Sequence, residues 1–346
     1  MRGGVLTSAF AHTYEDIISV ENLLAAWTEF VQGKRKRADV QEFQSCLMSN
    51  IFALHHELKN ETYRHGGYEH FVVIDPKRRD IHKASVRDRL LHHAIYRVLY
   101  PYYDTQFIHD SYSCRNNKGT HRAMNQFRRY ARKASNNHTK TVWVLKCDIR
   151  KFFATIDQTI LIKILERHIF DKRIINLLQS VVTSFSSTKA GKGLPLGNLT
   201  SQLLVNIYMN EFDKFMKHAI KATYYIRYAD DFVVVQKDKY TLLKIVRYIV
   251  LFLGEKLQLE LHPHKVSIST FASGVDFLGW VHFPNHRVLR TMTKKRMFLK
   301  LGQSEYKEDV VTSYEGLLKT GNGYLLEKKL YLLSDPKLLH NFVDML

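Results

Sequence analysis

The sequence predicts a mixed helix-and-strand fold in which a strand-bearing centre is flanked by helical segments. Three observations carry this. Apolar residues recur at helical spacing over 14–33 and 39–59. Between 141 and 290 short β-prone runs, among them TVWVLKCDI, YYIRY and DFVVV, alternate with helical stretches. After about residue 291 the pattern is helical again. With 45% hydrophobic and 12% aromatic residues the chain can fill two or three packed units, which excludes a disordered basic tail.

Taken in order, Ile17, Leu23, Leu24, Trp27 and Phe30 mark a first helix and Phe43, Leu47, Ile51 and Leu54 a second, with the basic turn GKRKR at 33–37 between them. YEHFVVI at 68–74 predicts a strand, PKRRD a turn, and 86–99 a helix. GTHRAMNQFRRYARK at 119–133 predicts a second basic helix, leading into the β-prone run at 141–149. Asp157 precedes the apolar-periodic TILIKILERHI and is placed to cap that helix. Leu203, Leu204, Ile207, Tyr208, Phe212 and Phe215 predict a helix over 201–220, and 240–253 another. Strand candidates follow at 266–271, 275–283 and 286–290, and GNG at 321–323 interrupts the terminal helical lobe.

The 52 Lys and Arg outnumber the 33 Asp and Glu, a formal charge of +19 before any of the 18 His protonate. Charge in that excess repels itself unless a polyanion neutralises it, and nucleic acid is the commonest, with an anionic membrane the rarer option. No apolar window reaches the roughly 18 residues of a membrane span, and the N-terminus lacks a signal-peptide core. The expectation is a soluble, cytoplasmic protein without a membrane partner. Cys46, Cys114 and Cys147 are too widely spaced for a zinc knuckle and read as buried small hydrophobes or inert thiols. His92–His93 and His262/His264 lack metal-ligand spacing, which argues against zinc.

In YYIRYADDFVVV, at 224–235, two β-prone runs are separated by little more than Ala229 and Asp230, so a tight hairpin is the simplest fold. Asp230 and Asp231 then sit at its tip. Like charges about 4 Å apart repel by about 4 kcal/mol at an effective dielectric near 20, so a half-buried pair needs a cation or a raised pKa. An ordinary polar turn is the alternative reading of Ala-Asp-Asp. A second acidic strand end, Asp148 in VWVLKCDIRKFF, favours the cation. Three carboxylates from adjacent strands can clamp two Mg²⁺ ions, and such a clamp stabilises the attacking and leaving oxygens of an in-line nucleotidyl transfer.

These segments resemble the reverse transcriptases. YADD at 228–231 is similar to their YxDD hairpin, Asp148 with Ile149 and Phe153 to their first palm motif, and LPLGNLTSQ at 194–202 to the motif between. With PKRRDIHKASVRDR at 76–89 and SYSCRNNKGTHRA at 111–123 the resemblance covers about residues 70–285. It implies an α+β right-hand polymerase fold: an N-terminal helical extension over 1–65, fingers and a palm with an antiparallel sheet over 66–285, and a helical thumb over 286–346. The LGxxxSQ form of the middle motif, with RDRLLHHA at 87–94 and SYEGLLKTGNGYLLEKKL at 313–330, resembles the branch found in diversity-generating retroelements.

The resemblance implies a role for each matched residue. Asp148, Asp230 and Asp231 are expected as the catalytic metal ligands. Phe153 matches the ring that excludes a ribose 2′-OH, or is a core aromatic beside Phe152. Lys77 and Arg79 match fingers residues on the incoming triphosphate, with Arg87 and Arg89 competing for that role. Lys265 matches the lysine that protonates leaving pyrophosphate, or is a plain surface lysine. VDFLGWVHF at 275–283 resembles the hairpin that supports the primer end, or is a core strand. Leu196 and Gln202 frame the middle motif. Where relatives place Gln at the first of these, Leu cannot hydrogen-bond the nucleotide, so mispairing, above all opposite template adenine, is the expectation.

The implied partners are a structured template RNA, a DNA primer or cDNA, dNTPs and a small basic helical accessory protein, since no nuclease motif follows the last palm motif. The basic stretches 33–37, 115–133 and 294–300 are expected to hold RNA. The competing readings are another bacterial reverse transcriptase (retron, abortive-infection or CRISPR-associated) and a catalytically silent RNA-binding scaffold.

Overall fold

The computed structural model describes residues 9–74, 78–187, 189–304 and 306–334. At its centre is a four-stranded antiparallel sheet in the order β4–β5–β3–β6, formed by β3 (Trp143–Asp148), β4 (Tyr225–Tyr228), β5 (Asp231–Gln236) and β6 (Ser267–Thr270), after β1 (Tyr68–Val73) and β2 (Arg79–Ala84) have paired as a separate hairpin. Both middle strands are buried on both faces, which is why they read as apolar runs. Leu145, Cys147, Phe232 and Val234 enter the largest core, against the helices Leu199–Lys214 and Lys239–Leu257. Val144, Val233 and Val235 enter a second core. Ala123, Phe127, Ala131 and Ala134 cover that face from the helix Thr120–Ala134.

A second sheet, β7 (Val275–Phe277), β8 (Trp280–His282) and β9 (Arg287–Leu289), extends this platform toward the C-terminal helices Thr291–Gln303, Glu308–Leu318 and Tyr324–Ser334. Trp280, Leu289, Met297, Leu301, Leu318 and Leu330 join sheet and helices in a third core. VDFLGWVHF is therefore a hairpin rather than one strand, because Leu278 and Gly279 take φ of +52° and +87°. The GNG break is also structural. A Cβ on Gly321 would lie 2.2 Å from Trp280 Cζ3, so only glycine lets this turn seat on the indole.

Elsewhere the structure departs from expectation. Each of the two N-terminal helices is divided, giving Tyr14–Ile18, Val20–Phe30, Ala38–Ser45 and Leu47–Lys59. Ser19 is extended (ψ 144°) and its hydroxyl accepts from Asn22 N–H, restarting the helix, while Cys46 (φ −120°, ψ 36°) breaks the second. Of the turn expected over PKRRD, Arg79 and Asp80 instead open β2, and Pro76 and Lys77 lie outside the described residues. Only Arg79 and Asp80 of that strand are exposed, but RDIHKA carries no apolar alternation to announce it. Cys46 and Cys114 are exposed, so the buried-hydrophobe alternative holds only for Cys147. Burial pushes the Cys147 thiol up to about 12. Asp157 caps its helix as expected, accepting from Ile160 N–H at 3.0 Å. Among the described residues no helix is long and apolar enough to cross a membrane.

Candidate active site

The β4–β5 hairpin closes through Ala229 and Asp230 alone, with Tyr228 opposite Asp231. Ala229 takes a left-handed φ of +54°, which costs an L-residue about 1–2 kcal/mol. A buried arginine holds this turn. Arg227 uses all five N–H donors: Nε and Nη2 form a fork on Asp213 (2.8 and 2.7 Å), Nη2 also reaches Ser111 Oγ, and Nη1 donates to Asn206 Oδ1 and to the carbonyl of Ala229 (3.1 Å). Arg227 and Asp213 are both wholly buried, and Tyr225 Oη donates to Asp213 as well (2.6 Å).

Across the sheet, Asp148 on β3 is directly opposite Asp231 on β5. Opposed residues in an antiparallel pair have Cα atoms roughly 4.5–5.5 Å apart, and like charges there repel. Asp230 follows at the turn. Its carboxyl is pushed up to about 6, first by burial and then by the charge of Asp148. Asp231 is raised too, by burial, then by Asp148 and Asp276, against the lowering effect of Lys146. Asp231 Oδ1 is buried without a hydrogen-bond partner. Asp148 Oδ1 accepts from Lys265 Nζ at 2.8 Å, and His262 N–H donates to the Asp148 carbonyl, so the 262–265 turn is fastened to the end of β3.

The structure thus brings Asp148, Asp230, Asp231 and Lys265 together. Phe153 and Leu196 belong to an adjoining wall. Leu194 N–H donates to the Phe153 carbonyl (2.8 Å), His82 N–H to the Leu196 carbonyl (3.1 Å), and Asn198 Nδ2 back to the His82 carbonyl (2.9 Å), which binds the middle motif to β2. Gly197 between them has φ +105°. Phe153 is half-buried, edge-on to Phe152 at 5.5 Å. Arg79 is exposed at the start of β2, three residues before His82. Gln202 is half-buried in the first turns of Leu199–Lys214. Lys77 lies outside the described residues.

The reverse transcriptase profile, described as "Reverse transcriptase (RNA-dependent DNA polymerase)", matches residues 75–282, more than half of the sequence. The chain belongs to the reverse transcriptase family. It is 26% identical over 255 residues to Protein YkfC of Escherichia coli (strain K12), covering 63% of this chain and 65% of that one. To the group II intron-encoded protein LtrA of Lactococcus lactis subsp. cremoris it is 24% identical over 287 residues, covering 64% and 46%. Solved structures similar to it include a truncated apo telomerase from Candida tropicalis (TM-score 0.48, 13% identity, 70% and 60% covered). A partial Cas6-RT-Cas1–Cas2 complex is another (TM-score 0.44, 20% identity, 71% and 43% covered). The chain spans less than two thirds of the length of each of these relatives. Its fold is the right-hand polymerase fold, with the β4–β5–β3–β6 sheet as the palm.

Reverse transcriptases use divalent metal ions, and the donor set here fits one: hard carboxylate oxygens, one of them buried and unpartnered, with two acids whose ionisation is held back. Among the described residues no three His, Cys, Asp or Glu side chains converge to hold an ion in this conformation. Lys265 brings the positive charge to Asp148 instead. Sequence reasoning missed Arg227, Asp213, Asp276 and Lys146. An arginine inside the otherwise uncharged YYIRY run was the available signal for Arg227, and the charged EFDKF stretch gave none for Asp213.

Proposed function

We propose that this chain is an RNA-directed DNA polymerase that uses Asp148, Asp230 and Asp231 to hold two Mg²⁺ ions. The observation that carries the reading is the register of the palm, which sets Asp148 opposite Asp231 with Asp230 on the adjoining turn. When bound, the ions supply charge neutralisation at the attacking 3′-oxygen and at the leaving pyrophosphate. The chain's own residues do the rest. Arg227 fixes the turn carbonyl and so aims Asp230. Lys265 Nζ, beside Asp148, is positioned to give its proton to departing pyrophosphate. Phe153, tied to Leu194, forms the floor under the nucleotide sugar, with Leu196 beside it and Gln202 one turn further on. Arg79, with Lys77 before it, reaches the triphosphate from the fingers. We assign residues 1–65 to the N-terminal extension, 66–285 to fingers and palm and 286–346 to the thumb, whose first strand pairs with β8.

Primer extension on an RNA template with Mg²⁺ tests this directly: the parent should make cDNA and Asp230→Ala should make none at equal folding. Extension unaffected by Asp230→Ala would overturn the assignment. We further infer that the enzyme works in a diversity-generating retroelement, copying a structured template RNA with a small basic accessory protein and misincorporating opposite adenine. The LGxxxSQ motif supports this, because Leu196 presents no amide to the nucleotide. Leu196→Gln should lower errors opposite template adenine, and an unchanged error spectrum would remove Leu196 from the explanation.

A further inference from the structure

Away from the carboxylates, a cavity of about 570 Å³ is lined by Arg128, Arg129, Arg132, Asn137, His138, Pro284 and Asn285. Its lining has three arginines and no acid. The helix that supplies them, THRAMNQFRRYARKA, contains no Asp or Glu at all. Its apolar side is spent on the palm sheet, through Ala123, Phe127, Ala131 and Ala134, so the basic side must face outward. Arg128 Nη2 donates to the Asn285 carbonyl and Arg132 Nε to Asn137 Oδ1, which orients two of the guanidiniums on the rim. Arg129 is exposed and forms no hydrogen bond or ion pair among the described residues. Three guanidiniums gathered without a counter-charge repel one another, and a concave site of one sign concentrates anions.

The position of this cup relative to the catalytic hairpin follows from two elements. Thr120 begins the helix and its hydroxyl bonds the hydroxyl of Tyr228 at 3.2 Å, so the helix starts at the YADD turn. Arg132 comes twelve residues later, roughly 18 Å along the axis at 1.5 Å per residue. The second sheet agrees. Its Leu278–Gly279 turn and its 283–286 turn lie at opposite ends of β8, and Asn285 of the latter meets Arg128.

We propose that this arginine cup binds the phosphate backbone of a folded RNA arm that lies outside the stretch being copied. The proposal rests on the reading of the chain as a polymerase acting on RNA, and it gives that RNA a second anchorage separate from the carboxylates. Arginine's planar fork suits phosphate, and Asn137 and Asn285 offer amides to neighbouring sugar hydroxyls. The cavity is far larger than one phosphate requires, which favours a polymer backbone over a free anion.

The test is a triple variant, Arg128→Gln/Arg129→Gln/Arg132→Gln, with Arg129→Gln alone as the variant least able to disturb folding. Binding of a 40-nucleotide RNA hairpin is measured from 50 to 200 mM salt, beside extension of a short primer–template of ten base pairs. Each lost phosphate contact lowers the log-log salt slope by about 0.7–0.9, so three should lower it by about 2–3. The parent's advantage in affinity should then shrink roughly 20- to 40-fold across that fourfold salt range. Arg129→Gln should show about a third of the slope change, and short-duplex extension should stay at the parental rate in both variants. Unchanged hairpin affinity and slope would overturn the proposal. So would an equal loss of short-duplex extension, which would put the cup on the catalytic duplex, or displacement of the hairpin by low millimolar inorganic phosphate, which would make it a small-anion site. Loss of extension in Asp230→Ala with hairpin binding intact would leave the cup standing apart from the catalytic assignment.

Discussion

Replacing Arg227 with Met removes a charge from a place where nothing else can take it up. Asp213 would remain wholly buried with only Tyr225 Oη as a hydrogen-bond donor, and the Ala229 carbonyl would lose its tether. Breaking a buried ion pair from one side costs roughly 3–5 kcal/mol. Domain stabilities are only about 5–15 kcal/mol, so this is a large fraction of the total. At about 2.1 cal/mol/K of unfolding entropy per residue, a chain of this length loses about 1.4 °C per kcal/mol, so the expected fall in Tm is roughly 4–7 °C. A functional loss should accompany it, because a carboxylate displaced by about 1 Å can cost about a hundredfold in rate.

The informative comparison is the double variant Arg227→Met/Asp213→Leu. Replacing both members of a buried pair with apolar groups of similar volume is often neutral for stability. Most of the lost Tm should therefore return, less the cost of leaving Tyr225 Oη, Asn206 and Ser111 without their partner. Activity should not return, since neither Met nor Leu can hold the Ala229 carbonyl. Thermal unfolding and single-nucleotide incorporation rates, measured on parent, both single variants and the double, decide the matter. If activity recovers along with stability, the pair only holds up the fold and the positioning argument is wrong. If Arg227→Met changes neither quantity, the buried fork itself is refuted.

Two further expectations follow from the same geometry. Because Asp230 ionises near 6 rather than at its ordinary 3.8, its acid form stabilises the metal-free protein fully below about 3.8, and that contribution is lost as pH rises through about 6. Asp230→Asn should raise the Tm in EDTA at pH 7.5 by a few °C and leave it near parental at pH 4, the two-unit shift being worth on the order of 3 kcal/mol; a difference independent of pH would contradict it. Gly321→Ala forces a methyl into the Trp280 ring, at a cost of about 1–3 kcal/mol, so limited proteolysis should cut the C-terminal helices sooner than in the parent.

How far the sequence discloses this site depends on where each residue's partners lie. The β4–β5 hairpin is legible because its signal is local: two apolar runs, a two-residue gap, and acids where the gap falls. Asp148 is legible because it ends a strand whose alternation is plain, and the register then brings it opposite Asp231. Strand β2 is not legible, since RDIHKA carries no apolar alternation and its order comes from pairing with β1 and from the Leu196 and Asn198 contacts to His82. Arg227 is legible only as an oddity, and Asp213 not at all. Fourteen residues separate them, and nothing in the spacing says that a helix and a strand will bring the two charges face to face. Asp276 joins the electrostatics of Asp231 from the second sheet, a relation that only the folded chain creates.

The hairpin combines several unfavourable terms within a few residues: a left-handed alanine, two acids raised above their ordinary ionisation, and a buried oxygen without a partner. Strain of this kind persists only where the surroundings over-determine it. Here they do so from below and from both sides. The saturated Arg227–Asp213 fork fixes the turn, and the strands behind it are packed on both faces by Phe232, Val233, Val234 and Val235. Relaxing any one acid to an amide would ease the repulsion, yet it would also remove a carboxylate that the proposed metal site requires. Lys265 pairs directly with Asp148, and the charges of Lys265 and, for Asp231, Lys146 only partly offset what burial and the neighbouring acids do to Asp230 and Asp231. The hairpin therefore holds more negative charge than its lysines offset, and that deficit is what the proposed divalent cations would fill.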